Sequence, residues 1–213
     1  MNINRDTVEI LVCKTWENIK NRFLNEEILL SSERSLCFNF AWEMAILLNC
    51  NRNFIADFEW NIFKELDSDD TFLDLRLYTD SDFQIAFEFK LPKKGERSKS
   101  NHNQTRAKIY RDLDRLYWLV RNDKYNVQYA YFICITNERH YINYQTGKDE
   151  KFQTSHETYI KQDLLLRNNN NTSGEKAIKR DLRLPEFIFW WEKIQRQDEV
   201  WYWLCPYPII KQG

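Results

Sequence analysis

Asp74, Glu88 and Lys90 are the residues of this chain whose types and spacing suit chemistry. They stand in the stretch FLDLRLYTDSDFQIAFEFK, residues 72–90, which reads as two short strands joined by a turn. Successive strand side chains point to opposite faces. Leu73, Leu75 and Leu77 therefore share one face of the first strand, with Asp74 on the other. Phe83, Ile85, Phe87 and Phe89 share one face of the second, with Glu88 and Lys90 on the other. Two carboxylates and a lysine then converge at one edge of a hairpin. Mg²⁺ takes hard oxygen ligands, typically one or two carboxylates with waters and phosphate oxygens. Held there, it neutralises phosphate charge and lowers the pKa of a bound water, the two needs of phosphodiester hydrolysis at neutral pH. Lys90 beside the attacking water would help position it and stabilise developing charge. The competing reading is a solvated hairpin face whose opposite charges pair across the strands.

The elements around this hairpin must position it. Residues 5–25 read as an amphipathic helix with Ile10, Trp16, Ile19 and Phe23 available for packing. Ser31-Ser32 offers an N-cap for a second helix running to about Asn49. In that helix Glu33 lines up with Cys37, Phe40, Met44 and Leu47, while Ser35, Asn39 and Glu43 form a narrow polar stripe. Glu33 either complements the helix dipole or points into the site. Phe54–Trp60 reads as a first strand with Phe54, Ala56, Phe58 and Trp60 on one face, and residues 64–70 as a charged loop. Pro92 and Gly95 break the lysine strand, and residues 98–104 are polar. Thr105–Arg121 reads as a helix with Ile109, Leu113, Leu116 and Val120 on its core face. Gln104, Lys108, Arg111 and Arg115 align on another face. Gln104, after the lysine strand, is placed to orient water or phosphate. Residues 125–136, YNVQYAYFICIT, read as a buried strand that a crossover helix lets pair in parallel. Residues 167–174 read as an exposed loop, and FIFWWEKI and VWYWLCPYPII as two strands or a hairpin. Their aromatics suit a core, with base stacking as the alternative.

Asp74, followed by Glu88-Phe89-Lys90, resembles the PD-(D/E)XK nuclease superfamily, with Leu73 where the usual proline stands. Ser32-Glu33-Arg34-Ser35-Leu36 and Asn51-Arg52-Asn53 make the layout similar to a bacterial group with a core of that kind. The resemblance covers roughly residues 30–135. It implies an α/β fold with a restriction-endonuclease-like core: a mixed central β-sheet flanked by helices, here with an aromatic-rich C-terminal β segment. It implies Mg²⁺, with Mn²⁺ able to substitute, held by Asp74, Glu88 and the Phe89 carbonyl, with Glu33 bridging to that metal or a second one. It implies a DNA endonuclease, with RNA not excluded, in a setting such as restriction, phage defence or mobile-element processing. Many such nucleases dimerise to cut both strands, so a homodimer or larger complex is open. The alternatives are a non-catalytic nucleic-acid-binding module, or a partner subunit that keeps the fold and uses its aromatic C-terminus as an interface.

Composition agrees with one domain of 213 residues: a core at about 30–135 and an elaboration at about 145–213. Aromatic content is 15%, with only four Gly and four Pro, which excludes a disordered chain. The net charge of −1 hides an uneven distribution. Residues 90–115 hold nine Lys or Arg against three acids; residues 57–82 hold nine acids against two bases. That suits a metal site beside a phosphate-binding surface made by Lys108, Arg111 and Arg115, helped by Lys93, Lys94, Arg97 and Lys99. The alternative is two ordinary solvated faces. Five cysteines at 13, 37, 50, 134 and 205, without a C-x-x-C, read as reduced thiols, four of them in apolar runs. The three histidines lack metal-ligand spacing, and no P-loop, G-x-G-x-x-G or G-x-S-x-G motif occurs. No signal segment or membrane span is read, so a cytoplasmic protein with no membrane partner is expected.

Overall fold

Residues 129–136, YAYFICIT, carry no polar alternation because both faces of the strand are covered. The computed structural model describes residues 5–48, 54–67, 71–79, 84–94 and 102–211. Its main helices are α1 (Arg5–Leu24), α2 (Glu33–Leu47) and α3 (His102–Arg121). Between and after them run β1 (Phe54–Asn61), β2 (Phe72–Thr79), β3 (Gln84–Lys90) and β4 (Tyr129–Thr136). The C-terminal part adds β5 (Thr158–Ile160), β6 (Leu164–Leu166), a short α4 (Ser173–Ile178), β7 (Leu182–Leu184) and β8 (Phe187–Phe189). It closes with β9 (Trp191–Arg196), β10 (Glu199–Leu204) and β11 (Pro208–Ile210).

The central sheet is mixed, in the order β1-β2-β3-β4-β10-β9, with β11 also paired to β4. The pairing is antiparallel except between β3 and β4, which α3 connects as a crossover. The expected parallel partner strand is therefore present, but it starts at Tyr129; residues 123–125 form a 3₁₀ turn instead. Lys64 and Glu65, at the start of the expected loop, belong to a 3₁₀ turn at Phe63–Glu65. The C-terminal aromatic runs do form a hairpin, β9–β10, with Trp201 opposite Ile194.

One face of the sheet packs on α1 and α2. Phe40, Phe87 and Phe89 meet there, and Trp203 stacks obliquely on Trp16 at 4.5 Å. The Trp16 indole N–H donates to the Leu204 carbonyl at 3.0 Å, so the buried ring is satisfied. Ile10 was expected on this face but is exposed; Val8 and Val12 pack in its place. Glu43, expected on a polar stripe, is buried and ion-paired with Arg22 at 3.2 Å. Cys37 and Cys134 are buried free thiols as read, whereas Cys13 is exposed and Cys50 lies outside the described residues.

The other face packs on α3, where Ile109, Leu113, Leu116 and Val120 form the expected apolar stripe. The charged side of α3 was expected to be an exposed phosphate-binding face, or else an ordinary solvated one. It is covered instead by α4, β7 and the 3₁₀ segment Gly147–Phe152. Arg106, Arg111, Asp112, Asp114 and Arg115 are all buried; Asp114 lies on this covered side, whereas Asp112 and Arg115 are buried toward the sheet, against Lys90, Glu88 and the Phe72 carbonyl. Charges at that depth survive only when paired. Asp114 accordingly accepts from the Arg183 backbone N–H at 2.5 Å and pairs with Arg180 at 2.5 Å. Among the described residues no helix is long and apolar enough to cross a membrane.

Candidate functional site

The β2–β3 ladder runs from Tyr78–Gln84 to Leu75–Phe87 and ends there. Beyond that point β3 stays with β4, pairing out to Lys90–Cys134, while β2 stays with β1, out to Phe72–Asn61. The two strands thus fork at Asp74 and Glu88. The Phe89 N–H, left without its strand partner, donates to Asp74 Oδ2 at 2.7 Å. A side-chain carboxylate takes over a ladder bond, which fixes Asp74 at the fork.

The alternation expected along β2 does not hold through this point. Leu75 and Leu77 pack on the α1–α2 side, but Leu73 packs on the α3 side with Ile62 and Phe63. Across from Asp74, between the pairs Phe58–Leu75 and Trp60–Leu73, Glu59 has φ of 53°. A non-glycine residue in the left-handed region costs of order 1–3 kcal/mol and turns the side chains that follow it. The sheet is irregular on both strands at the same level.

The fork opens into a cleft of about 620 Å³. Helix α2 contributes Glu33, Arg34, Cys37 and Phe38; β1 contributes Phe58 and Glu59. Phe72 and Asp74 of β2, Glu88 and Lys90 of β3, and Arg115 of α3 complete it. Glu88 is 2% exposed, and its Oε1 has no hydrogen-bond partner. The Arg115 guanidinium stands 3.5 Å from that oxygen. Burial, and then the charge of Asp74, push the Glu88 carboxyl well above its ordinary range; Arg115 pulls the other way.

Lys90 donates from Nζ to the Phe89 carbonyl at 3.0 Å and is ion-paired with Asp112 Oδ2 at 2.9 Å. Burial alone would push its pKa down. The carboxylate of Asp112, helped by Glu33, Asp74 and Glu88, outweighs burial and holds it well above the usual lysine range. Asp112 is wholly buried. Burial would raise its pKa, but Lys90, Arg111 and Arg115 keep it below the usual carboxylate range. The sequence reading missed Asp112. The signal was present: Asp112 follows Gln104 and Lys108 at spacings of four on the same stripe, an acid on an otherwise basic face.

Glu33 does not stand free at a helix end. Ser32 and Ser35 form the cap of α2, and Glu33 accepts from the Leu91 N–H at 3.4 Å, with Lys90 Nζ at 3.8 Å. Glu33, Asp74 and Glu88 therefore share the cleft without forming a three-carboxylate cage. Among the described residues no group of three or more His, Cys, Asp or Glu is arranged to hold a metal ion. Two carboxylates facing one cleft, one with an orphaned oxygen, still fit a hard cation that keeps most of its waters.

The expected phosphate-binding face is dispersed. Arg111 and Arg115 are buried against Asp112, at 3.5 and 3.4 Å, and Arg115 turns to the strands, beside Glu88 and the Phe72 carbonyl. Lys108 is exposed and Gln104 is half-buried; neither lines the cleft. Lys93 donates to the Ser31 carbonyl at 2.7 Å, and Lys94 borders a different hollow beside Asn137 and His140. Arg97, Lys99 and Asn51-Arg52-Asn53 lie outside the described residues. Comparison with family models, with curated proteins and with solved structures finds no match to this chain.

Proposed function

We propose that this chain is a Mg²⁺-dependent nuclease with a restriction-endonuclease-like core, cutting DNA phosphodiester bonds internally. The observation that carries this reading is the forked sheet. Asp74 and Glu88 face one cleft from diverging strands, with Lys90 beside them. Asp74 and Glu88 are the residues to hold the ion, and the Phe89 carbonyl can join them if Lys90 yields it. A bound Mg²⁺ supplies Lewis-acid polarisation of the phosphate and a water of lowered pKa. The chain's own residues do the rest. Asp74 is oriented by the Phe89 N–H. Glu88, buried and short of a hydrogen bond, gains most from a cation. The Lys90 ammonium, kept protonated by its carboxylate neighbours, stabilises negative charge that builds on the phosphate oxygens. Glu88 and Arg115 lie at the buried end of the cleft, 2% and 1% exposed, where charge interactions are stronger than in water.

The test is cleavage of supercoiled and linear DNA by the purified protein with Mg²⁺, against chelator and against Glu88→Gln and Lys90→Met. Metal-dependent nicking that both variants lose supports the reading. Equal activity in wild type and variants refutes it. One observation favours a second reading, a partner subunit that keeps the fold. Phe38, Trp42 and Ile46 form an exposed apolar stripe along α2, and the first two rings stack at 6.3 Å. Metal-dependent cleavage by the isolated chain separates the two readings: a partner subunit that only keeps the fold cuts nothing.

A further inference from the structure

Lysine is a flexible point charge on a four-carbon stem, and a catalytic role needs it fixed to within a fraction of an ångström. In this cleft Lys90 Nζ is held from two sides: it donates to the Phe89 carbonyl at 3.0 Å and is ion-paired with Asp112 Oδ2 at 2.9 Å. The ammonium borders the cleft, with Glu33 3.8 Å away. Asp112 does not come from the forked strands. It comes from α3, the helix locked against the sheet by Ile109, Leu113 and Leu116. Its own carboxylate is bracketed by Arg111 at 3.5 Å and Arg115 at 3.4 Å, and Arg115 reaches on to Glu88 at 3.5 Å. The same guanidinium therefore braces both the anchor of the lysine and the buried acid of the fork. We propose that Asp112 is the positioning residue of this site, setting from α3 where the Lys90 ammonium stands over the fork. This rests on the nuclease reading and adds a residue to it. It also assigns the charged stripe of α3 an inward role in place of phosphate binding.

Asp112→Asn keeps shape and removes the charge that directs Lys90. Misplacing a reacting group by about 1 Å costs roughly 100-fold in rate. The expected loss is in kcat, with KM for DNA little changed, because Asp112 reaches the cleft only through Lys90 and Arg115. In a Lys90→Met background, read from its residual nicking at high enzyme concentration and long times, the same substitution should cost less than about twofold, since an effect acting through a side chain disappears with it. Asp112→Glu, which restores charge at a different reach, should recover part of the rate. If burial of an uncompensated lysine prevents Asp112→Asn from folding, the Lys90→Met/Asp112→Asn pair removes both charges together and is compared with Lys90→Met alone.

A readout independent of activity accompanies these rates. The ¹⁵N ammonium resonance of Lys90, assigned by its absence in Lys90→Arg, should be visible in the wild type and lost or displaced in Asp112→Asn. Lys20, buried between Glu17 and Glu192 at 2.7 Å from each, should keep its signal and serves as the control. An unmoved Lys90 signal, or an additive rate loss in the Lys90→Met background, overturns the proposal while the nuclease reading stands. A signal displaced in Asp112→Asn, together with a wild type that cuts no DNA with Mg²⁺, defeats the nuclease reading and with it the catalytic role of Asp112. A displaced signal together with the non-additive rates supports both.

Discussion

Replacing Arg115 by methionine removes a cation from the floor of the cleft while keeping a long apolar stem. Arg115 is 1% exposed and stands 3.5 Å from Glu88, 3.4 Å from Asp112 and 3.7 Å from Asp67. It also donates to the Phe72 carbonyl and lies 4.0 Å over the Phe63 ring. Breaking a buried ion pair by removing one partner costs about 3–5 kcal/mol, because the other charge is left uncompensated. Two features pull the figure to the lower end. Asp112 keeps Lys90 at 2.9 Å, and Glu88, whose pKa is already raised, can escape the penalty by taking a proton. The expected cost is therefore about 3 kcal/mol, which for a chain of this size lowers Tm by roughly 6–12 °C. Lys108→Met, on the same helix but exposed, should stay within about 0.5 kcal/mol. Thermal unfolding followed by circular dichroism at pH 7 decides between them. If Arg115→Met melts with the wild type while its DNA affinity loses salt dependence, the side chain is a surface phosphate contact and the buried network is wrong.

Two further outcomes follow from the same charges. Glu175 accepts from Lys151 and from the N–H groups of Asn171, Thr172 and Asn169, which hold its pKa at about 2 against an ordinary 4.5. A lowered carboxylate pKa gives stability that is full above pH 4.5 and lost as pH falls toward 2; Glu175→Gln should cost roughly 2–3 kcal/mol at pH 7 and flatten that acid slope, read from urea midpoints. Mg²⁺ at about 100 times its Kd should stabilise the wild type by about 2.7 kcal/mol, and Glu88→Gln should lose most of that gain in a thermal-shift measurement; an equal shift in both proteins would place the ion elsewhere.

The parts of this fold that period-two and period-four patterns control were legible. The strands around Leu75 and Phe87, the apolar stripe Ile109–Leu113–Leu116 and the aromatic C-terminal hairpin are examples, because each buries a regular face. What was not legible depends on contacts distant in sequence. Arg115 looks like part of an exposed basic face until β2 and β3 bring the Phe72 carbonyl and Glu88 against it. Asp112 looks like an ordinary i,i+3 partner of Arg115 until β3 brings Lys90 against it. The break in β2 at Asp74 has no glycine or proline to announce it; it is matched by Glu59 at φ 53° on the strand opposite. For Glu33 the sequence leaves two roles open, helix-dipole charge or site residue; the choice depends on Leu91 and Lys90, far along the chain, which meet it in the cleft.

The most direct test of the central claim is an anomalous difference map from crystals grown with Mn²⁺. The account predicts a peak in the fork between the Asp74 and Glu88 carboxylates, absent in Glu88→Gln. No peak there, at a Mn²⁺ concentration that supports full DNA cleavage in solution, or a peak at another site, would contradict it.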